Sequence, residues 1–309
     1  MKREAHAWQC VLLLAALAAA LLVERQPVGA AESVRFAFAP RDGTRAIVVT
    51  KMSRKKFFAG RSQIDKSTAY EDRRFKKVAG GYQMIAVLKV VFCNRDGVEY
   101  LDPALMALSS VPLTFIIAKS GRATAIKGYD KVVEALRKNM PPEATKALGN
   151  TITKEALAAR EIEEWDARIG DFVGKTAKVG DVWNGESEYA LSSGQKIKHK
   201  STVKFMGWET VAGKRCLRVR YVYWSDASDL GDLVDKKIAE IYKSLEMKSP
   251  RPRAADVQFR GAGERLIDPS TMLIYGETGL RVTGMQMRTG ASKGEMTLID
   301  RRDYKYRYY

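Results

Sequence analysis

The stretch QKIKHKSTVKF, residues 195–205, sets lysines at 196, 198, 200 and 204 against Ile197, His199, Ser201, Val203 and Phe205. Ten residues on, RCLRVRYVYW repeats the scheme, with Leu217, Val219, Tyr221 and Tyr223 opposing Cys216, Arg218, Arg220 and Val222. Side chains of a strand alternate between two faces, so a period of two with one basic and one apolar side reads as a strand with one face in water. This pattern excludes a parallel sheet covered on both sides, whose strands are apolar throughout.

More of the chain follows the same rule. SVRFAFAP puts Val34, Phe36 and Phe38 on one side, and Pro40 to Gly43 is a turn signal, so residues 33–51 read as an opening hairpin. Residues 51–77 hold ten basic side chains with Phe57, Phe58, Tyr70 and Phe75 among them, which predicts edge strands whose cations discourage pairing with other chains. Asp96-Gly97 and Ser120-Gly121 close two further hairpins. Three segments carry helical periodicity: Tyr129 to Asn139, ended by Pro141-Pro142; Thr153 to Gly170, with Ala158, Ile162, Trp165 and Ile169 in one stripe; and Asp229 to Lys248, with Leu230, Val234, Ile238 and Leu245 in another. Glu161, Glu163, Glu164 and Asp166 fall mostly opposite the second stripe, which predicts a solvated acidic face, not an acid–base pair. The last strand alternates Tyr304, Tyr306 and Tyr308 with Lys305, Arg307 and Tyr309.

At the start, Lys2 and Arg3 precede thirteen apolar residues, Val11 to Val23, and small residues follow. This is the layout of a secretory signal peptide, expected to span residues 1–30. The run is too short for a bilayer, which takes about 20 residues. Cys10 precedes the run, the wrong place for lipid attachment. The expectation is an exported protein, periplasmic or extracellular, with no transmembrane span after cleavage. Residues 31–309 then form a single domain, with halves of about 31–170 and 171–309.

The formal charge is +17, and +16 without the leader. That favours anionic partners. In an exported chain without a nucleic-acid motif the expected partners are an anionic envelope surface or polymer, not nucleic acid. Beyond the leader two cysteines remain, Cys93 and Cys216. An oxidising compartment would allow one disulfide between them; the alternative is two buried small hydrophobes.

Chemistry-bearing patterns are sparse. His199 is the single histidine after the leader, so a multi-histidine metal site is excluded and zinc-type cysteine spacing is absent. The chain has no nucleophile elbow, phosphate loop or dinucleotide fingerprint. No catalytic residue, metal or cofactor is expected, and His199 reads as a hydrogen-bonded core residue. The knot Asp268-Pro269-Ser270-Thr271 reads as a type I turn at a hairpin tip.

KVGDVW at 178–183, STVKFMGWETVAGKRCLRVRY at 201–221, GAGERLIDPSTMLIYGETGLRV at 261–282, and the hairpin-then-helix LTFIIAKSGRATAIKGYDKVVEAL at 113–136 give an order that resembles secreted bacterial families with a lipoprotein-carrier-like (LolA-like) fold. The resemblance runs from Leu113 to Val282. Where those families often have glycine after the turn aspartate, this chain has Ser270-Thr271-Met272. The resemblance implies an α+β fold: a strongly curved antiparallel β-sheet, a half-barrel, with amphipathic helices packed on its concave face. It implies binding of a lipid or other hydrophobic small molecule, with no catalytic residues to carry over. The inward side chains that would line such a cavity are Phe36, Phe38, Trp165, Val203, Phe205, Val219 and Tyr221. The alternative is an envelope scaffold that uses its basic face against anionic polymers or lipids.

Overall fold

The computed structural model describes residues 32–309 except 59, 102–105, 107, 140–152, 191–195, 226, 245, 247–249 and 290–291. The segment 1–30 expected to be a signal peptide, with Cys10, and Pro141-Pro142 and Leu245 lie outside the described residues.

The strands in chain order are β1 (Ser33–Arg35), β2 (Arg45–Phe58), β3 (Arg61–Val78), β4 (Gly81–Arg95), β5 (Val98–Glu99), β6 (Pro112–Ala118), β7 (Ala123–Lys127), β8 (Thr176–Lys178), β9 (Val182–Ala190), β10 (Lys196–Val211), β11 (Lys214–Ser225), β12 (Arg253–Asp268), β13 (Leu273–Thr289) and β14 (Ser292–Tyr308). The helices are α1 (Tyr129–Asn139), α2 (Lys154–Trp165), which runs into a π-turn at Asp166–Gly170, and α3 (Ala227–Ser244). One antiparallel sheet runs β7-β6-β4-β3-β2-β14-β13-β12-β11-β10-β9, with β5 added beside β4. Its end strands β7 and β9 do not pair, so the sheet is not closed into a barrel. Eight of its strands have 12–18 residues. At about 3.4 Å per residue the longest reach roughly 60 Å.

Alternation sets which face is covered. Val203, Phe205, Leu217, Val219, Ile267, Tyr306, Val48, Phe75, Met84 and Phe115 fall on one face by register, here termed the inner face. Most of them belong to the main apolar core with Phe36, Phe38, Trp165, Ile169 and Phe172. The core occupies one end of the long strands. Further along, α3 packs Leu230 and Val234 against Val257, Phe259 and Met285.

Two expectations are corrected, and of the two readings of the cysteines the structure agrees with buried small hydrophobes. Residues 33–51 are not a hairpin: β1 pairs with β8 in a separate two-stranded sheet. Both sides of β2 are taken, by β3 and β14, and the segment carrying Phe36 and Phe38 is held elsewhere. Phe36 N–H donates to Lys175 O at 3.0 Å, and Ala37 N–H to Pro269 O at 2.8 Å. The basic strands β2 and β3 are interior, not edges, because β14 returns to pair with β2 along almost its whole length. Several of their cations meet carboxylates on neighbouring strands: Arg54 stands between Asp300 and Asp65, Lys51 is opposite Asp303, and Lys56 pairs with Asp65. Cys93 and Cys216 are both buried and not bonded to each other. They sit on β4 and β11, six strand steps apart and on opposite faces by register, whereas a disulfide needs Cα atoms within about 7 Å.

Candidate functional site

Of the seven expected cavity-lining residues, Val203, Phe205, Val219 and Tyr221 stand on the inner face of the sheet, and Phe36, Phe38 and Trp165 pack in the core beside it. Phe36 packs edge-on against Phe172 and Trp183, with Phe205 beside it at 5.7 Å between centroids. Phe38 contacts Phe75, Tyr82 and Trp165. Trp165 Nε1 donates to Gly121 O at 2.9 Å. Val219 is fully buried and Val203 packs against the same core. The void lined by Phe38, Trp165, Ile169, Met272, Ile274 and Tyr306 is about 10 Å³, room for about one water. These aromatics fill the core end.

Tyr221 belongs to a different arrangement. Its hydroxyl donates to Glu277 Oε1 at 3.2 Å. Arg265 Nη2 donates to the same oxygen at 2.9 Å, and Arg168 Nη2 bonds Oε2. Arg168 Nη2 also donates to Tyr306 OH at 2.9 Å, and Arg265 Nη1 to Arg168 O at 3.2 Å. Burial alone would raise the Glu277 carboxyl; the two guanidiniums outweigh it and bring it down to about 2. Arg168 sits in the π-turn that follows α2. The network therefore clamps this end of α2 to β12, β13 and β14.

The acidic face of α2 is only partly solvated, where the sequence predicts a fully solvated one. Glu161, Glu163 and Glu164 are half-buried. Tyr129 OH donates to Glu161 Oε2 at 3.4 Å. Burial, then Glu164 and Glu71, push the Glu161 carboxyl above its ordinary range. Asp166 accepts from Ala123 N–H at 3.0 Å and from Arg122 at 3.1 Å. His199 Nδ1 and Ser225 Oγ are 2.8 Å apart, and the ring meets Phe259 edge-on. Burial lowers the His199 pKa.

Beyond the clamp the inner face carries charge. Arg281, Asp300, Arg54, Asp65 and Arg95 stand directly opposite one another across β13, β14, β2, β3 and β4. The row reads plus, minus, plus, minus, plus. Asp300 accepts from Arg54 Nε at 2.6 Å and from Arg281 Nη2 at 2.5 Å. Asp65 accepts from Arg95 Nε at 2.7 Å, and Lys56 Nζ lies 3.2 Å away. Both aspartates are buried, and each is held by two cations. The cationic side chains remain reachable, at 27% exposure for Arg281, 31% for Arg54, 41% for Lys56 and 48% for Arg95. Sequence reasoning missed this row. Its one sequence signal was aspartate at 65 and 300 within stretches of strand alternation.

The row continues onto β12 and β11 as Gly261 and Tyr223. A Cβ on Gly261 would stand 2.1 Å from Tyr223 Cζ, so the ring lies across the glycine. Tyr221 lies over Gly263 in the same way, with its hydroxyl 2.4 Å from a Cβ built there. The rings stack on each other at 6.3 Å. The two glycines of GAGER thus make room for two tyrosines that lean toward the arginines. Farther out on the same face come Leu298 and Met296.

The turn at Asp268 is structural. Its carboxylate accepts from Ser270 N–H, Ser270 Oγ and Thr271 Oγ1 at 2.6–2.9 Å. Met272 N–H donates to Asp268 O at 2.7 Å, and Met272 takes a φ of +57°. Among the described residues no three His, Cys, Asp or Glu side chains group as a metal site, and no helix is long and apolar enough to cross a membrane.

No family model and no curated protein matches the chain. Among solved structures, a candidate lipoprotein from Parabacteroides distasonis ATCC 8503 is 10% identical, covering 86% of this chain and 97% of that one, at a TM-score of 0.23. Pseudomonas aeruginosa OccK2 (OpdF) is 8% identical over 88% and 99%, at 0.23. Pseudomonas aeruginosa OccK7 (OpdD) is 8% identical over 86% and 99%, at 0.21. Overlaps of this depth carry no argument about what the chain binds.

Proposed function

We propose that the chain is an exported, non-enzymatic binding protein that takes an anionic, lipid-like amphiphile on the inner face of its sheet. In this reading the sheet is a half-barrel, with α2 and α3 on its concave side and the charged row open between them. The observation that carries it is the row itself: two buried carboxylates held by four partly exposed cations, Arg281, Arg54, Lys56 and Arg95. The carboxylates fix the cations in place, and the positive charge left over faces outward. Guanidiniums held this way suit the bidentate recognition of phosphate or carboxylate. Tyr223 on one side and Leu298 with Met296 beyond supply an aromatic and apolar flank for a chain. A cavity for a neutral apolar ligand has less support, since Phe36, Phe38, Trp165 and Phe205 pack against one another.

The test is isothermal titration of residues 31–309 with short-chain phosphatidylglycerol below its micelle concentration, beside short-chain phosphatidylcholine. The anionic lipid should bind more tightly by tenfold or more, and Arg281→Gln should weaken it by about tenfold, the scale of one lost charge-assisted contact. Equal affinity for the two headgroups would refute the proposal.

A further inference from the structure

At its outer end the same sheet carries a second row of charge, and this one does not alternate. Arg253 on β12 stands directly opposite Arg288 on β13, and Arg288 stands directly opposite Lys293 on β14. All three are exposed. Among the described residues none of the three has an ion-pair partner. Directly opposed side chains on antiparallel strands have Cβ atoms about 5 Å apart, and like charges there destabilise the pairing. Elsewhere a carboxylate stands by such pairs: Arg45 and Arg74 face each other but both bind Asp72, Arg220 opposite Lys204 binds Glu264, and the row from Arg281 to Arg95 places an aspartate between each pair of cations. A like-charge row across three strands, without an ion pair to any of the three among the described residues, is thus a local cost.

Apolar side chains share this end. Phe58, the last residue of β2, is opposite Met296 and 53% exposed. Phe57 precedes it, with Lys55 Nζ 4.7 Å from its ring centroid. Arg61 is opposite Phe58 across the hairpin and is exposed. Val98, at the neighbouring β4–β5 hairpin, is also exposed. By register the three-cation row lies on the face opposite Phe58 and Arg61, so the two groups meet at the rim of the sheet; a rim carrying cations and protruding apolar groups matches a bilayer surface, where the charge meets anionic headgroups and the rings enter the interface.

We infer that the outer end of the sheet, formed by Arg253, Arg288, Lys293, Arg61 and Phe58, docks onto an anionic lipid bilayer. The surface is separate from the inner-face row and stands on different residues. Docking would remove the repulsion, since each cation gains headgroup charge within a Debye length of about 10 Å at 0.1 M salt.

The experiment is co-sedimentation of residues 31–309 with vesicles of phosphatidylcholine alone and of phosphatidylcholine with 30% phosphatidylglycerol, at about 0.05 and 0.5 M salt. Variants are Arg253→Gln/Arg288→Gln/Lys293→Gln together, and Phe58→Ser. The wild type should bind only the anionic vesicles and lose most binding at high salt. The triple variant should lose at least tenfold in partitioning, and Phe58→Ser roughly threefold or more. Without vesicles the triple variant should melt higher than the wild type, which a merely misfolded protein would not do. It should keep the short-chain-lipid affinity, so failure of one reading leaves the other standing. The inference is overturned if the triple variant binds anionic vesicles like the wild type, or if the wild type ignores them. It is also overturned if soluble polyphosphate binds as tightly as vesicles with no effect of Phe58→Ser, or if the wild type dimerises through this end without lipid and the triple variant does not.

Discussion

Arg54 and Asp300 are 246 positions apart in the chain and meet across β2 and β14, with Arg54 Nε donating to Asp300 Oδ1 at 2.6 Å. The contact joins the N-terminal half of the sheet to its last strand. It also sets register: a slip of one residue would move Asp300 to the opposite face, away from both Arg54 and Arg281.

Asp300→Asn should therefore cost more than an ordinary surface change. It leaves two guanidiniums facing each other over a buried neutral amide. Because both arginines are a quarter to a third exposed, the loss belongs at the low end of the range for breaking buried pairs, about 3 kcal/mol. Urea denaturation checks it. A double-mutant cycle with Arg54→Gln should return a coupling of about 1 kcal/mol or more.

Gly261 and Gly263 are both required, for different reasons. At Gly261 a methyl group would strike the Tyr223 ring; at Gly263 it would stand 2.2 Å from the Thr278 carbonyl oxygen as well as near Tyr221. Gly261→Ala should destabilise the fold, and adding Tyr223→Ala should recover part of the loss by vacating the space. Gly263→Ala should not be recovered by Tyr221→Ala, because backbone remains in the way. Melting temperatures of the four variants decide it.

How far the sequence spoke depends on the range of the interaction. Period-two alternation placed Val203, Phe205, Leu217 and Val219 on the covered face, and the turn residues at 96–97, 120–121 and 268–271 marked hairpins that form. The span of α1 was legible from its apolar spacing. Alternation does not say which strand pairs with which. Nothing local shows that β14 inserts beside β2, so β2 and β3 looked like edges and their cations looked solvated. The opening segment misled for the same reason: its alternation is real, but its partner is β8. The acidic side of α2 was read as solvated because helix periodicity gives no sign that Tyr129 of α1 covers Glu161. The charged row is a cross-strand object, visible only once five strands are in register.

Glu161 should be a stability cost at neutral pH. Burial, then its carboxylate neighbours Glu164 and Glu71, hold its folded pKa above the unfolded one. The favourable contribution of the neutral form is complete below the unfolded value and is lost as pH rises through the folded value. Glu161→Gln, which keeps an acceptor for Tyr129 OH, should raise the melting temperature at pH 7. The gain should shrink as pH is lowered toward 4. A melting series from pH 4 to 8 reads this directly, and a gain independent of pH would contradict it.

Glu277 behaves in the opposite sense. Burial disfavours its charge, but Arg168 and Arg265 bring the carboxyl down to about 2. A folded pKa below the unfolded value of about 4.5 means the stabilisation is present above pH 4.5 and fades as pH falls toward 2. The difference corresponds to about 3 kcal/mol at pH 7. Glu277→Gln should remove that amount and leave Arg168 and Arg265 repelling each other. Its stability should then fall less steeply between pH 4.5 and 2 than that of the wild type. The loss should release the clamp on the end of α2 first, because Arg168 is the residue that ties the π-turn to β13 and β14. Hydrogen exchange should show faster amides at 165–170 in the variant while the β10–β11 pairing stays protected. Uniform acceleration across both segments would mean that Glu277 supports the whole sheet and not the helix attachment.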